Sequence, residues 1–232
     1  MDKKNPKIVV IIPAFNEENA VAKVIADIPK SLVSAIIVAN NNSSDNTRRQ
    51  ALTAGATVVD EPTQGYGNAC LKGIEFVKEQ GLNPDIIVFL DADYSDYPEE
   101  ISKLIAPILE DEMDMVIGSR ALGNRAKRSM QPQQIFGNWL ATRLMKLLYN
   151  ARYSDLGPFR AIRWNALLAL DMKDKTYGWT VEMQLKAAKQ KMKIAEVPVS
   201  YRARIGHSKI SGTVKGTVMA GYKIITTIFK YL

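Results

Sequence analysis

Two carboxylates stand one residue apart at Asp91-Ala92-Asp93, directly after the apolar run Ile86-Ile87-Val88-Phe89-Leu90. An uninterrupted apolar run of this length reads as a buried strand. The tripeptide therefore falls at a strand's C-terminal end, where open α/β sheets bind ligands. Carboxylates this close repel unless a cation joins them. Hard divalent cations such as Mg²⁺ or Mn²⁺ take oxygen ligands, often carboxylates together with substrate phosphates. The chemistry suggested is a metal that grips a diphosphate. A strand ending in a solvated, Asp-rich turn is the alternative that so short a motif leaves open.

Further polar clusters follow other strand-like runs. Residues 7–12 lead into Pro13-Ala14-Phe15-Asn16-Glu17, and residues 35–39 into Asn40-Asn41-Asn42-Ser43-Ser44-Asp45-Asn46-Thr47. Ser44 or Asp45 could cap the next helix. A cap needs one such residue, so a longer polar run favours a binding loop. Gly65-Tyr66-Gly67-Asn68-Ala69 opens a helix. It has neither dinucleotide-fingerprint spacing nor a Walker lysine, yet it would let backbone approach a ligand.

The elements that must position these groups alternate. The pattern predicts strands over 7–12, 35–39, 57–59, 86–90 and 115–117, with helices over 18–28, 45–54, 66–80 and 98–109. The first helix shows Val21, Val24, Ile25 and Ile28 as one apolar stripe. Ser95, Asp96 and Pro98 before Glu99-Glu100 make a helix start. Such alternation predicts an α/β fold with a mainly parallel sheet flanked by helices. Beyond Gly118 a basic loop over 121–132 is expected, then helices over 136–149 and 180–191, and a strand over 194–202 interrupted at Pro198. Residues 213–232 read as a C-terminal amphipathic helix, with Val214, Val218, Tyr222, Ile225 and Phe229 on one side and Lys215, Lys223 and Lys230 between them. It is either a core helix or one that lies on a membrane with its lysines at the headgroups.

At 232 residues the chain is long enough for one domain with a sizeable core. Its lone cysteine, Cys70, rules out an internal disulfide and fits a reducing compartment. No secretory leader and no run of about 18 apolar residues is visible, so a cytoplasmic protein without a membrane span is expected. The net charge of +7 is unevenly spread. Residues 120–163 hold nine Lys/Arg and one acid, Asp155, and residues 200–232 hold six Lys/Arg and no acid, leaving the remainder at net −7. This asymmetry points to an anionic partner: nucleic acid, a phosphorylated substrate or an anionic membrane.

An ordered set of motifs now makes a resemblance. Ile11–Glu17, Ser43–Thr47, Gly65–Ala69 with Gly73, Asp91–Asp93, Gly118-Ser119-Arg120, Asp155–Arg160, Glu196–Val199 and Gly206-His207-Ser208-Lys209 cover nearly the whole chain. In this the chain resembles family 2 glycosyltransferases of GT-A fold, within the group of dolichyl-phosphate mannose synthase and other polyprenyl-phosphate glycosyltransferases. The resemblance implies a single domain whose residues 1–118 form a nucleotide-sugar-binding half and residues 119–212 an acceptor-binding half. It implies inverting transfer of a hexose from a nucleotide diphosphate sugar, of UDP-glucose or GDP-mannose type, to a polyprenyl phosphate, with Mg²⁺ or Mn²⁺ as cofactor and peripheral contact at the cytoplasmic membrane face.

Residue by residue, the resemblance places Pro13, Ala14, Phe15, Glu17 and Gly65 at the nucleotide, with Asn40 and Asn41 where the family usually carries two aspartates. Asp91, Ala92 and Asp93 would meet metal, ribose and diphosphate. Arg120, Arg125, Lys127, Arg128, Arg202, Arg204, Ser208 and Lys209 would meet phosphate, a task suited to arginine's planar fork. Asp93, Arg120 and Asp155 are the expected catalytic residues. Asp155 could instead orient Arg160, and Glu182 is a second carboxylate candidate near the acceptor. His207, the sole histidine, reads as a loop residue beside the phosphate clamp. Transfer to a soluble or saccharide hydroxyl remains open, with Asp155 as base. A nucleic-acid-binding protein is the alternative from another class, although no helix-turn-helix, zinc-finger or RNP pattern is present. Nucleotide-sugar synthesis is disfavoured because the N-terminal motif lacks a Gly-rich, Arg-containing loop.

Overall fold

The computed structural model describes residues 5–127, 129–206 and 214–232, with the side chains of Val214 and Lys215 excepted. Arg128, His207, Ser208 and Lys209, all singled out above, lie outside the described residues. One seven-stranded mixed sheet runs in the order β3-β2-β1-β4-β6-β5-β7. Its strands are β1 (Ile8–Ala14), β2 (Ala35–Asn40), β3 (Thr57–Asp60), β4 (Ile86–Phe89), β5 (Met115–Ser119), β6 (Arg160–Arg163) and β7 (Ile194–Pro198). The helices are α1 (Val21–Asp27), α2 (Thr47–Thr53), α3 (Tyr66–Glu79), α4 (Ile101–Glu110), α5 (Pro132–Tyr149), α6 (Trp164–Leu170), α7 (Trp179–Lys189) and α8 (Val214–Lys230).

Buried parallel strands read as continuous apolar runs because both faces are covered. In β1, Ile8, Val10 and Ile12 enter one core with α1, α2 and α4. Val9 and Ile11 enter the other, with α3, α6 and α7. Each such side chain contributes about 1.5–3 kcal/mol by leaving water. A third cluster joins α5, α7 and α8 through Met145, Leu185 and Ile228.

Sheet polarity gathers the functional segments. β1 pairs in parallel with β2 and β4, and β5 with β7. β6 is antiparallel to both β4 and β5, so β4 and β5 also point the same way. Consequently the residues after β1, β2, β4, β5 and β7 and those before β6 all lie at one sheet edge.

Most predicted elements form within a few residues of expectation. The clearest omission is β6 with α6. Arg160-Ala161-Ile162-Arg163 carries an arginine at each end and shows no apolar run. It is nevertheless buried mid-sheet because Arg160 donates to the carbonyls of Gly157 and Thr180, and Arg163 to those of Met113 and Ile108. The expected strand over 194–202 is shorter, stopping at Pro198, which has no N–H for the ladder. Helix α1 starts later than position 18 because Glu17 first organises a turn, its carbonyl accepting from Ala20 and Val21.

Candidate active site

At that edge lies a cleft of about 300 Å³. From the β1 end it is lined by Pro13, Ala14, Phe15 and Glu17, and from the β4 end by Asp91, Ala92 and Asp93. Asn41, Gly65, Tyr66 and Ala69 form a third side, and Gln64, Tyr177 and Arg204 complete it. The expected nucleotide-site residues thus converge, except Asn40. Its amide donates to Asp60 Oδ1 at 2.8 Å, and it does not line the cleft. Arg204, expected at the acceptor phosphate, lines this cleft instead. Gln64 and Tyr177 carried no sequence signal, since isolated polar or aromatic loop residues have no period or motif to mark them.

The two carboxylates sit on a constrained turn. Asp93 Oδ1 accepts from the Ser95 amide (2.9 Å) and hydroxyl (2.5 Å), and its Oδ2 faces Arg204 at 3.1 Å. Tyr94 adopts the left-handed region at φ 67°, a conformation that persists only when its surroundings dictate it. Here the Tyr94 hydroxyl donates to Asp27, while the Arg202 guanidinium lies 3.4 Å from the Tyr94 ring centroid and 4.2 Å from that of Tyr97. Asp91 accepts from the Tyr66 hydroxyl at 3.1 Å. Desolvation, and then the neighbouring Asp93, push its carboxyl up to about 7. Asp96, fully buried behind them, is also pushed up by burial and by both aspartates. Ionising these carboxyls together needs a compensating positive charge, which a divalent cation would supply. Among the described residues no cluster of three or more His, Cys, Asp or Glu is arranged to hold one. The remaining ligands would then be phosphate oxygens and water, as Mg²⁺ and Mn²⁺ sites commonly have. The donor set fits.

The polar run after β2 is chiefly a brace. Ser43 Oγ, Thr47 Oγ1 and Asp45 Oδ2 accept from the amides of Asn16, Glu17 and Glu18. In return Asn16 and Glu18 accept from the amides of Ser44 and Asn46. Only Asn41 of the run lines the cleft. Its amide nitrogen donates to the carbonyls of Glu61 and Thr63, and its oxygen accepts from the Gly65 amide at 2.7 Å. A carboxylate could not donate to those carbonyls, which explains how asparagine serves this position.

Beside the cleft, Arg120 grips Asp155 through Nε at 2.8 Å and a terminal nitrogen at 2.6 Å, and its backbone amide adds a third bond at 2.8 Å. Burial would raise the Asp155 carboxyl, but Arg120 more than offsets this and holds it below the usual carboxylate range. Asp155 therefore orients Arg120, and not Arg160, whose donors go to backbone carbonyls. Glu196 fixes the approach by accepting from the amides of Ser154 and Asp155 and from the Ser154 hydroxyl. Arg120 also stacks 5.1 Å from the Tyr201 ring centroid. Arg202 donates to the carbonyls of Tyr94 and Asp96, which ties it to the turn that follows Asp93. Arg125 is exposed and reaches Met130 sulfur at 3.4 Å.

Comparison with known proteins resolves the class. The model of glycosyl transferase family 2 matches residues 9–168. The chain belongs to glycosyl transferase family 2. It is 32% identical to an uncharacterised glycosyltransferase of Mycobacterium tuberculosis over 217 residues, covering 92% of this chain and 94% of that protein. A dolichyl-phosphate hexose transferase of Haloferax volcanii is 30% identical, covering 91% and 90%. An undecaprenyl-phosphate mannosyltransferase of Micrococcus luteus is 28% identical, covering 90% of each. Among solved structures, glucosyl-3-phosphoglycerate synthase from Mycobacterium tuberculosis, in complex with Mn²⁺, UDP and phosphoglyceric acid, matches with a TM-score of 0.79 at 21% identity, covering 99% of this chain and 79% of that one. That likeness establishes the GT-A fold.

In this glycosyltransferase one wall of the cleft depends on a distant element. The loop 171–178 carries Tyr177, and its Lys175 carbonyl accepts from the Asn68 amide in the first turn of α3. Glu182, fully buried on α7, holds the loop by accepting from the amides of Lys173 and Asp174. It also accepts from the Tyr231 hydroxyl and pairs with Lys186, so it is an anchor rather than a group facing the acceptor. Lys223 of α8 pairs with Asp174 at 2.9 Å. The glycines of the α3 start make this contact possible: Gly65 has φ 149°, and a Cβ on Gly65 or Gly67 would collide with the carbonyl oxygen of Lys175 or Asp174. Gly67→Ala is accordingly expected to cost about 2 kcal/mol through overpacking and to weaken nucleoside diphosphate binding. Thermal unfolding and calorimetric titration check this; unchanged values for both would show that the loop yields freely.

Proposed function

We propose that this glycosyltransferase transfers a hexose from a nucleotide diphosphate sugar to a polyprenyl or dolichyl phosphate, with inversion, at a membrane surface on its cytoplasmic side. The observation that carries the acceptor class is the state of the carboxylates outside the Asp91–Asp96 turn. Asp155 is committed to Arg120, Glu182 to the 171–178 loop and Glu196 to Ser154. A carboxylate held low by an arginine is a weak general base. A phosphate monoester needs none, since with a second pKa of about 6 it arrives ionised. The names of the Haloferax and Micrococcus relatives support the same acceptor.

In this reading Pro13, Ala14, Phe15, Glu17, Asn41 and Gly65 border the nucleotide, and Asp91 and Asp93 would hold Mg²⁺ or Mn²⁺. The metal, when bound, neutralises charge that develops on the departing diphosphate. Arg120, oriented by Asp155, and the basic stretch with Arg125 position the acceptor phosphate. Its oxygen forms the new bond to the anomeric carbon in line with the breaking bond, whose electron pair leaves with the nucleoside diphosphate.

Membrane contact has its own support. Among the described residues no helix is long and apolar enough to cross a membrane. Helix α8 packs inward through Ile224, Thr227 and Ile228. The Val218–Tyr222–Phe229 stripe faces out instead, with Val218 63% and Tyr222 66% exposed. Helix α5, packed against α8, exposes Phe136, Trp139 and Leu147. Neither helix contains an acid, whereas Arg143, Lys146 and Lys230 are exposed. Apolar side chains ringed by cations complement an anionic lipid surface. Val218→Ser with Tyr222→Ser should lower partition onto anionic vesicles about tenfold or more, read by co-sedimentation, while nucleoside diphosphate binding holds. Undiminished partition would remove α8 from the contact.

The deciding experiment follows label from a panel of nucleotide sugars, with Mg²⁺ or Mn²⁺, in the presence and absence of a short polyprenyl phosphate. Label entering the organic phase from one donor is the expected result. Metal-dependent donor consumption without lipid labelling would move the acceptor to a soluble molecule, and no donor consumption would overturn the reading.

A further inference from the structure

Arg204 stands in an unexpected place for an acceptor-phosphate residue. Its two terminal nitrogens bridge carboxylates from different strands: Glu17 Oε1, after β1, at 2.5 Å, and Asp93 Oδ2, after β4, at 3.1 Å. The third guanidinium nitrogen, Nε, is buried and meets no acceptor among the described residues. Ser95 holds Asp93 Oδ1 through two hydrogen bonds, so Oδ2 is the oxygen left to turn to a cation. It is the same oxygen that Arg204 holds. The backbone beneath is fixed, since the Ile205 amide donates to the Asp93 carbonyl and the Arg202 amide to that of Ser95. The Arg204 side chain is 27% exposed and can therefore pivot within the cleft while its backbone stays in place.

We propose that Arg204 is an exchangeable counter-ion of the donor cleft, which holds Glu17 and Asp93 together and passes to the donor's diphosphate when a divalent cation takes Asp93. This rests on the reading of a metal-dependent nucleotide-sugar transferase. One oxygen cannot serve guanidinium and metal at full strength together. The pair with Arg204 therefore weakens binding of a cation alone. A diphosphate draws the guanidinium away, since a planar fork matches phosphate oxygens, and so frees the carboxylate. Arg204 thereby couples cation and nucleotide: each binds more tightly once the other is present, by the same factor. Arg204 is a positioning residue for the cation and a direct ligand of the diphosphate.

The test uses the full chain, Mn²⁺ alone and UDP. Free Mn²⁺ is followed by electron paramagnetic resonance, and UDP by calorimetry at saturating Mn²⁺. Arg204→Met should bind Mn²⁺ roughly fivefold more tightly without nucleotide, yet UDP about tenfold more weakly. Shifts of opposite sign separate exchange from simple disruption of the cleft, which would weaken both ligands. Arg204→Gln, also uncharged but able to donate, should give the same opposed shifts and serves if the methionine variant folds poorly. Mn²⁺ binding unchanged or weakened in the variants, with normal binding in the wild type, would overturn the exchange alone. A wild type that binds neither Mn²⁺ nor UDP would overturn the metal-dependent transferase reading with it.

Discussion

Replacing Asp93 by asparagine is expected to lower metal-dependent sugar transfer about a thousandfold, the scale of losing one preorganised electrostatic contact at developing charge. The substitution is nearly isosteric, and its Oδ1 can still accept from the Ser95 amide and hydroxyl, so the left-handed Tyr94 turn has its internal bonds. What disappears is the negative charge at Oδ2, which faces Arg204 and would meet the cation. UDP affinity in Mn²⁺ should fall to the value without metal, while the circular dichroism spectrum is unchanged. Normal turnover and normal Mn²⁺-dependent UDP binding in Asp93→Asn would sink the assignment of a metal to Asp91 and Asp93. Loss of turnover with intact Mn²⁺-dependent UDP binding would instead place Asp93 at the sugar.

The second large effect concerns stability. Asp155→Ala removes the buried carboxylate that grips Arg120, whose side chain is only 11% exposed, through three bonds. Deleting one partner of a buried pair leaves an uncompensated charge and typically costs about 3–5 kcal/mol. Chemical denaturation should show that loss. Its pH dependence has a definite sign. Because Arg120 holds the Asp155 carboxyl below the ordinary carboxylate range despite burial, the pair stabilises the fold fully above the unfolded-chain value of about pH 4. That contribution fades as pH falls through the lower folded-state value. The stability gap between wild type and Asp155→Ala should therefore be widest near neutrality and close in acid. A gap that stays constant would mean that packing, rather than the ion pair, sets the cost. Transfer by Asp155→Asn to a phosphate acceptor should lose no ionisation limb in its pH profile, because no proton has to be taken from the acceptor.

The frame was legible in local residue patterns. Apolar runs ending in polar residues announced β1, β2, β4 and β5, and the uninterrupted run at Ile86–Leu90 put Asp91 and Asp93 at a strand end. These readings hold because strand burial and helix amphipathicity are local periodic constraints, written within a few residues of one another. The motif order likewise led to the family that the comparison establishes. Short buried elements stayed hidden: β6 carries an arginine at each end, and only tertiary partners, the carbonyls of Gly157, Thr180, Met113 and Ile108, make their burial tolerable.

Which polar residues face the cleft depends on contacts between distant segments. The run from Asn40 to Thr47 looked like a binding loop, yet most of it stitches to Asn16–Glu18, because side-chain acceptors and backbone amides far apart in sequence meet there. Composition could not separate Arg202, stacked on Tyr94 and Tyr97, from Arg204, held between Glu17 and Asp93. Their partners come from segments more than a hundred residues away. Tyr177 reaches the cleft through a loop anchored by Glu182 and α8. The outward stripe of α8 was legible as amphipathic, but a helical period marks two faces without saying which one the protein covers. That choice was made by the packing of Ile224, Thr227 and Ile228 against α5 and α7.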